Sequence, residues 1–205
     1  LPLTDAVYSI AKDTNGFMYV GGSTNRNPYT SYSGMKYPKA IITKLYPNGD
    51  TVFMKDLGIA GNVVSLVVDP FGLVRANVRQ NHTNAQLQYH TYYVWITQNG
   101  FIFKMDSIQN AYSCNSCILA KDSSIIIAGL MFSPVNPGYR SMMFQRITKD
   151  WIIEPVIELN LGHPNCRADR VEQLPNGHYL VSGTVGSRIA SYELNEDGSN
   201  PVFKQ

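Results

Sequence analysis

The sequence predicts an all-β chain of the β-propeller class, built from four four-stranded antiparallel blades. Two recurrences carry this. The pattern AKDTNGFMYVGG from Ala11 returns as VVDPFGLVRANV from Val67, AKDSSIIIAGL from Ala120 and EQLPNGHYLVSG from Glu172. A second pattern follows each: KLYPNGDTVF from Lys44, WITQNGFIF from Trp95, RITKDWII from Arg146 and ELNEDGSNPVF from Glu193. A period of about 50 residues without a helical pattern marks small sheets that must stack to bury their faces. β-Branched and aromatic residues dominate, with turn residues about every 8 to 12 positions, which excludes a helical reading.

The first repeat shows the elements in order. Val7 to Lys12 reads as strand A, Phe17 to Ser23 as B, Lys39 to Tyr46 as C and Thr51 to Lys55 as D. The A–B link Asp13-Thr14-Asn15-Gly16 and the C–D link Pro47-Asn48-Gly49-Asp50 are hairpin turns, because Gly accepts the positive φ they require. Asn99-Gly100, Asn176-Gly177 and Asp197-Gly198 repeat this chemistry, and Asp69-Pro70-Phe71-Gly72 varies it. The third repeat lacks these glycines, at Asp122-Ser123-Ser124 and Lys149-Asp150. Aligning the strands places Ile10, Leu66, Ile118 and Val171 together, with Ser9, Ser65, Cys117 and Arg170 beside them. Segments such as Ile125-Ile126-Ile127 are apolar on both faces, as in a sheet covered on both sides. One domain spanning 1–205 is expected, with blades at about 1–58, 59–109, 110–162 and 163–205. It is either a small closed ring or part of a larger propeller.

The form A-x-D-x-x-G-x-x-Y-V-x-G … K-L-x-P-N-G resembles the repeats of secreted bacterial β-propellers of the seven-bladed type. Ala11, Asp13, Gly16, Tyr19, Val20, Gly22, Lys44, Leu45, Pro47, Asn48 and Gly49 carry it, and the second repeat has Asn77 at the strand B glycine. The resemblance implies a propeller fold and an extracellular or cell-surface location. It brings no catalytic set and no cofactor.

Seventeen Lys and Arg against fifteen Asp and Glu give a formal charge of +2, which offers no electrostatic case for nucleic acid. No apolar run is long enough for a membrane-spanning helix, so no membrane insertion is expected. Charged residues make up 16%, while polar, uncharged residues are plentiful, which suits an extracellular surface.

The A–B and C–D turns belong to one face of a propeller, and the B–C loops and D–A links to the other. The second set is long: Asn25 to Pro38, Arg79 to Thr91 and Ser133 to Ser141, with only Val185 to Arg188 short. Long loops on a rigid scaffold are where binding concentrates. Tyr29, Tyr32, Tyr37, Tyr89, Tyr139 and Arg140 are therefore the candidate contacts for a protein or glycan partner. Asp5, Asn62, Arg167 and Arg170 are candidates for the channel mouth; Arg170 either contacts an anion there or pairs with Asp169 or Glu172. Cys114, Cys117, Cys166 and His163 form a CxxC and an HxxC in adjacent repeats. They are candidates for a disulfide, for zinc or for free thiols, and Cys166 is expected near Cys114 because both enter strand A in neighbouring blades, although residues three apart on an extended strand point to opposite faces. The leading function is a non-catalytic binding module, with further blades or chains completing the propeller as a possible partner. The alternatives are a propeller enzyme of the lyase, lactonase or glycosidase type, or a building block of a larger assembly.

Overall fold

One turn geometry recurs eight times in the described residues. The N–H of Gly16 donates to the carbonyl of Asp13, and the Asp13 N–H donates to that of Phe17. The same two bonds close the turns beginning at Tyr46, Asp69, Thr97, Ala120, Thr148, Leu174 and Asn195. This is a three-residue hairpin loop whose fourth position is left-handed. Glycine holds that position six times, but Ser123 at φ 65° and Trp151 at φ 71° hold it in the third repeat. The missing glycines therefore do not change the turn; two L-residues adopt the strained backbone instead.

The computed structural model describes residues 5–30, 36–81, 90–108, 111–136, 138–159 and 163–204. These contain fifteen strands and no helix. They form two compact units, Leu1–Gln109 and Asn110–Gln205. In the first unit lie β1 (Asp5–Lys12), β2 (Met18–Thr30), β3 (Lys36–Leu45), β4 (Thr51–Val68), β5 (Val74–Gln80), β6 (Thr91–Ile96) and β7 (Ile102–Ile108), hydrogen-bonded in sequence order. β4 serves two blades, pairing with β3 as far as Ala60 and with β5 from Gly61. In the second unit, β8 (Ala111–Leu119), β9 (Ile125–Phe132), β10 (Arg140–Ile147) and β11 (Ile157–Leu159) form one four-stranded sheet. β12 (Cys166–Gln173), β13 (Tyr179–Val185), β14 (Arg188–Leu194) and β15 (Val202–Lys204) form another. Each repeat is thus an antiparallel four-stranded meander, as the sequence predicts.

Strand A carries a bulge in every blade: at Tyr8 in β1, Val64 in β4, Asn115 in β8 and Asp169 in β12. A bulge adds one residue to the period of two, so positions three apart then share a face. Val63 and Leu66 oppose Val78 and Ala76 and are both buried. This corrects the expectation that Cys114 and Cys117 point oppositely: their partners, Gly129 and Ile127, lie on one face.

The register also corrects the alignment of the repeats. Ser116, not Cys117, occupies the place of Ser9, opposite Ala128 as Ser9 is opposite Gly21. Cys117 takes the Ile10 place instead of Ile118. The second repeat's counterpart of Gly22 is Val78, not Asn77. The serine position has a role in packing. Ser9 Oγ accepts the Leu66 N–H at 3.0 Å, and Ser116 Oγ accepts the Val171 N–H at 3.3 Å, each joining one blade to the next.

Each unit has its own core between its two blades. In the first, Tyr19, Ala40, Ile42, Leu57 and Ile59 pack on Val63, Leu66, Val74, Ala76, Val78, Val94 and Ile96. In the second, Ile126, Ala128, Met142, Phe144 and Leu159 pack on Cys166, Ala168, Val171, Tyr179 and Val181. Fully burying one such side chain contributes about 1.5–3 kcal/mol, so these faces hold the blades together.

Candidate functional site

In the first unit the stretch expected as a long loop is largely sheet. β2 and β3 run past Thr24 as a hairpin extension, with Tyr29 opposite Tyr37 and Thr30 opposite Lys36. The Tyr29 hydroxyl donates to Asp56 Oδ1 at 3.1 Å, Lys39 Nζ stands 3.1 Å from Asp56 Oδ2, and Lys39 lies over the Tyr29 ring. Burial and then the Asp56 charge raise the Tyr29 phenol. Burial pushes the Asp56 carboxyl up, but the Gly58 N–H, Lys39 and Tyr29 outweigh it and hold the group below its usual value. Tyr29 and Tyr37 are half-buried. Tyr32, Tyr89 and most of the 79–91 loop lie outside the described residues. Asp5 accepts the Thr24 hydroxyl at 2.6 Å, and buried Asn62 donates to Asn81.

The second unit brings sequence candidates together. A cavity of about 480 Å³ is lined by Leu130, Arg140, Asn165, Cys166, Arg167, Thr184 and Gly186. The segment His163-Pro164-Asn165-Cys166 is pinned from both sides. The Arg140 N–H donates to the Pro164 carbonyl at 2.9 Å, and the Gly186 N–H donates to that of Asn165 at 2.7 Å. Arg140 and Asn165 form a parallel bridge between the blades. The guanidinium of Arg140 lies 5.2 Å from the Tyr112 ring centroid, with no salt bridge among the described residues. Arg167 is held as a fork by Asp169, Nε to Oδ1 at 2.7 Å and Nη2 to Oδ2 at 3.3 Å. Both groups of that pair are substantially exposed, so it contributes at most about 1 kcal/mol and yields easily to a competing anion. Tyr139 is exposed at the end of the 133–139 loop, whose Ser133 N–H donates to the Tyr139 carbonyl.

Arg170 pairs with Glu172 at 2.7 Å, the structural choice between its two roles. No disulfide joins the cysteines, which are thiols. Cys114 and Cys117 share the β8–β9 face of Ile127, while Cys166 lies in the core against Ile126 and Ala128 on the other face. A sheet therefore separates them, which corrects the expected Cys114–Cys166 proximity. The HxxC is a backbone turn: His163 Nδ1 accepts the Asn165 N–H at 3.1 Å, and Cys166 Sγ donates to the His163 carbonyl. Among the described residues no three His, Cys, Asp or Glu groups are placed to hold a metal. Thr184 and Gly186 escaped sequence reasoning. The parallel bridge that gathers them has no local signature.

Neither a family model nor a curated protein matches the chain. Solved structures do. One is a protein from Lactobacillus plantarum, with 10% identity and a TM-score of 0.56, covering 97% of this chain and 54% of that one. Another is MPT-4, a mannose phosphorylase from Leishmania mexicana solved with phosphate ion, at 10% identity and TM-score 0.51, covering 94% and 69%. Virginiamycin B lyase from Staphylococcus aureus aligns at 11% identity and TM-score 0.48, over 100% and 74%. The fold is of the β-propeller type. The chain spans about half of the Lactobacillus structure, and identities this low speak to fold alone.

Proposed function

We propose that this chain is a non-catalytic propeller module of an exported or cell-surface protein, and that its second unit binds an acidic glycan. The observation that carries this is the 480 Å³ cavity with Arg140 and Arg167 at its walls. Its volume falls in the usual range of about 300–1,000 Å³ for ligand pockets and suits one or two sugar rings. Two guanidiniums offer charge-assisted bonds to a carboxylate. Asn165 and Thr184 offer hydrogen bonds to hydroxyls, and Leu130 gives an apolar wall. The lining holds cations and amides rather than a paired acid and base, which supports recognition over hydrolysis. The resemblance of the repeats to secreted bacterial propellers, of the seven-bladed type, supports the location, and the face is the one expected from the long loops.

Calorimetric titration with a uronate-containing disaccharide, beside its neutral counterpart, tests the reading. The acidic sugar should bind more tightly. Arg140→Ala or Arg167→Ala should each weaken it about 10- to 100-fold, the range of a charged hydrogen bond. Asp169→Asn should strengthen it several-fold by releasing the Arg167 fork. Equal binding of both sugars, or unchanged affinity in both arginine variants, would sink the proposal.

A further inference from the structure

The blades of the first unit place equivalent positions in different surroundings. Val7 opposes Gly22 as Val63 opposes Val78, and Ile10 opposes Val20 as Leu66 opposes Ala76. Met18 opposes Leu45 as Val74 opposes Ile96. In the second blade this face is buried under the first, with Val63 at 0% and Leu66 at 4% exposure. In the fourth blade the same face, with Ala168, Val171 and Val181, is buried under the third. In the first blade it is open: Val7 is 60% and Ile10 64% exposed, and Met18, Val20 and Leu45 are only half-buried. An apolar sheet face of this kind is covered in both instances where the chain shows its partner.

Those two instances also define the cover. Tyr19, Ala40 and Ile42 in the first blade correspond to Ile126, Met142 and Phe144 in the third, and each trio covers the blade that follows. Each covering strand A also presents a serine, Ser9 or Ser116, that accepts an N–H of the covered strand. The N–H of Ile10 is the equivalent donor. The fourth blade lacks this equipment. Arg170 stands at the serine place, paired with Glu172, and Glu193 on the same face binds Lys204 at 2.9 Å and His178 at 2.8 Å. Pressing that charged face onto Val7 and Ile10 would desolvate its ions for no polar return. It has the character of a polar terminal cap, as stacked repeats require. A second copy of this chain therefore does not supply the cover.

We propose that the Val7–Ile10 face docks one further blade of this same repeat, joined ahead of β1 as the first blade is joined ahead of the second half of β4. Its covering face carries large apolar residues at the Tyr19 and Ile42 places. A serine four residues before its A–B turn accepts the Ile10 N–H.

The 205-residue chain tests this in two arms. In the first, sedimentation and binding of a hydrophobic-surface dye are compared for the wild type and the Val7→Asp, Ile10→Asp double variant. The wild type should be monomeric and bind dye. The variant should keep its melting temperature and lose most of the dye signal. In the second, a copy of residues 5–60 is fused ahead of the whole chain, and hydrogen exchange is followed at Ile10. The added blade should slow that amide about tenfold or more, and Ser9→Ala in the added copy should reverse much of the protection. A wild type that binds no dye, with a double variant that melts early, would show the face already covered within the chain and overturn the proposal. A dimer abolished by the double variant would assign the face to a second copy instead. A folded fusion that leaves Ile10 exchange unchanged would also overturn it. If the fusion does not fold, the first arm decides.

Discussion

Replacing Ser123 by glycine should stabilise the protein, and replacing Gly49 by serine should destabilise it by a similar amount. Both residues hold the fourth position of the same hairpin turn, Ser123 at φ 65° and Gly49 at φ 92°. The left-handed region costs an L-residue about 1–2 kcal/mol. Glycine gives back about 0.5–1 kcal/mol through the freedom of its unfolded chain. The net gain at Ser123→Gly is therefore about 0.5–1 kcal/mol. Steric terms do not confuse the reverse change, because a Cβ at Gly49 meets nothing within 4 Å. Nor do lost hydrogen bonds confuse the forward one: the Ser123 N–H still donates to Ala120, and the Asp122 carboxylate still accepts from Ser124. For a chain of this size about 1 kcal/mol shifts melting by roughly 2–4 °C. Scanning calorimetry on both variants should give shifts of opposite sign. A lowered melting temperature for Ser123→Gly, or no change for Gly49→Ser, would refute the assignment of these positions to one left-handed turn.

Two further predictions concern ionisable groups of the second unit. The Tyr179 hydroxyl is buried without a hydrogen-bond partner among the described residues, while its ring packs on Phe144 at 5.5 Å. Tyr179→Phe keeps the ring contact and removes the unsatisfied group, so stability at neutral pH should rise by about 1 kcal/mol, measured by urea titration; a loss would mean the hydroxyl has a partner. Burial, and then the Asp122 charge, push this phenol up to about 12, so the wild type should lose stability as pH rises from about 10 toward 12, and the Phe variant should lose less, keeping only the share of phenols such as Tyr192 that burial raises in the same way. Glu193 behaves in the opposite sense: the Lys204 hydrogen bond, followed by that of His178, lowers its pKa from 4.5 to about 2. Its stabilising effect is complete above about 4.5 and disappears as pH falls through 2. The melting difference between wild type and Glu193→Gln should shrink over that window, and a difference constant from pH 7 to 2 would contradict the role given to the carboxylate.

The strands and turns were legible because turn chemistry is local. Asn-Gly and Asp-Gly pairs mark a left-handed position wherever they fall. The third repeat shows where that signal fails. Its Ala120-Lys121-Asp122 looks like Ala11-Lys12-Asp13, yet the aspartates do different work. Asp13 Oδ1 accepts the N–H groups of Asn15 and Phe17 from the first turn position. Asp122 sits at the third, accepts from Ser124 and binds Arg146 at 2.6 Å. The turn thus begins at Ala120, two residues earlier than the letters suggest, and an alignment that sets Cys117 beside Ser9 is one residue out of register. The hairpin extension at Tyr29 and Tyr37 was hidden for another reason. Prolines and asparagines read as loop, but a register shift between Thr24 and Tyr29 lets pairing resume beyond them. The glycine of strand B was legible as a pattern and not as a cause. A Cβ at Gly183 would press on the carbonyl of Arg167 well inside contact distance, so this glycine lets the bulged strand that carries the cavity arginine lie close.

Four copies of one motif diverge where the motif no longer constrains them. All eight A–B and C–D turns of the described residues share a geometry, so that end of each blade offers no distinct surface. The opposite end differs from blade to blade. The first extends its hairpin through Tyr29 and Tyr37, the third carries the loop from Ser133 to Tyr139, and the fourth turns back at once, with Val185 opposite Arg188. The cavity follows from placing the shortest of these beside a longer one. The tight turn at Gly186, with φ 59°, ends the fourth blade just above Thr184. A side chain at Gly186 would meet the His163 ring at 2.9 Å, so the turn lies directly on the linking segment. β9 and β10 of the third blade continue to Leu130 and Arg140 and wall the space left open. Lengthening the 185–188 turn would fill that space without touching either core, so the ligand binding proposed for the second unit should be lost in such a variant and would depend on the brevity of a single hairpin.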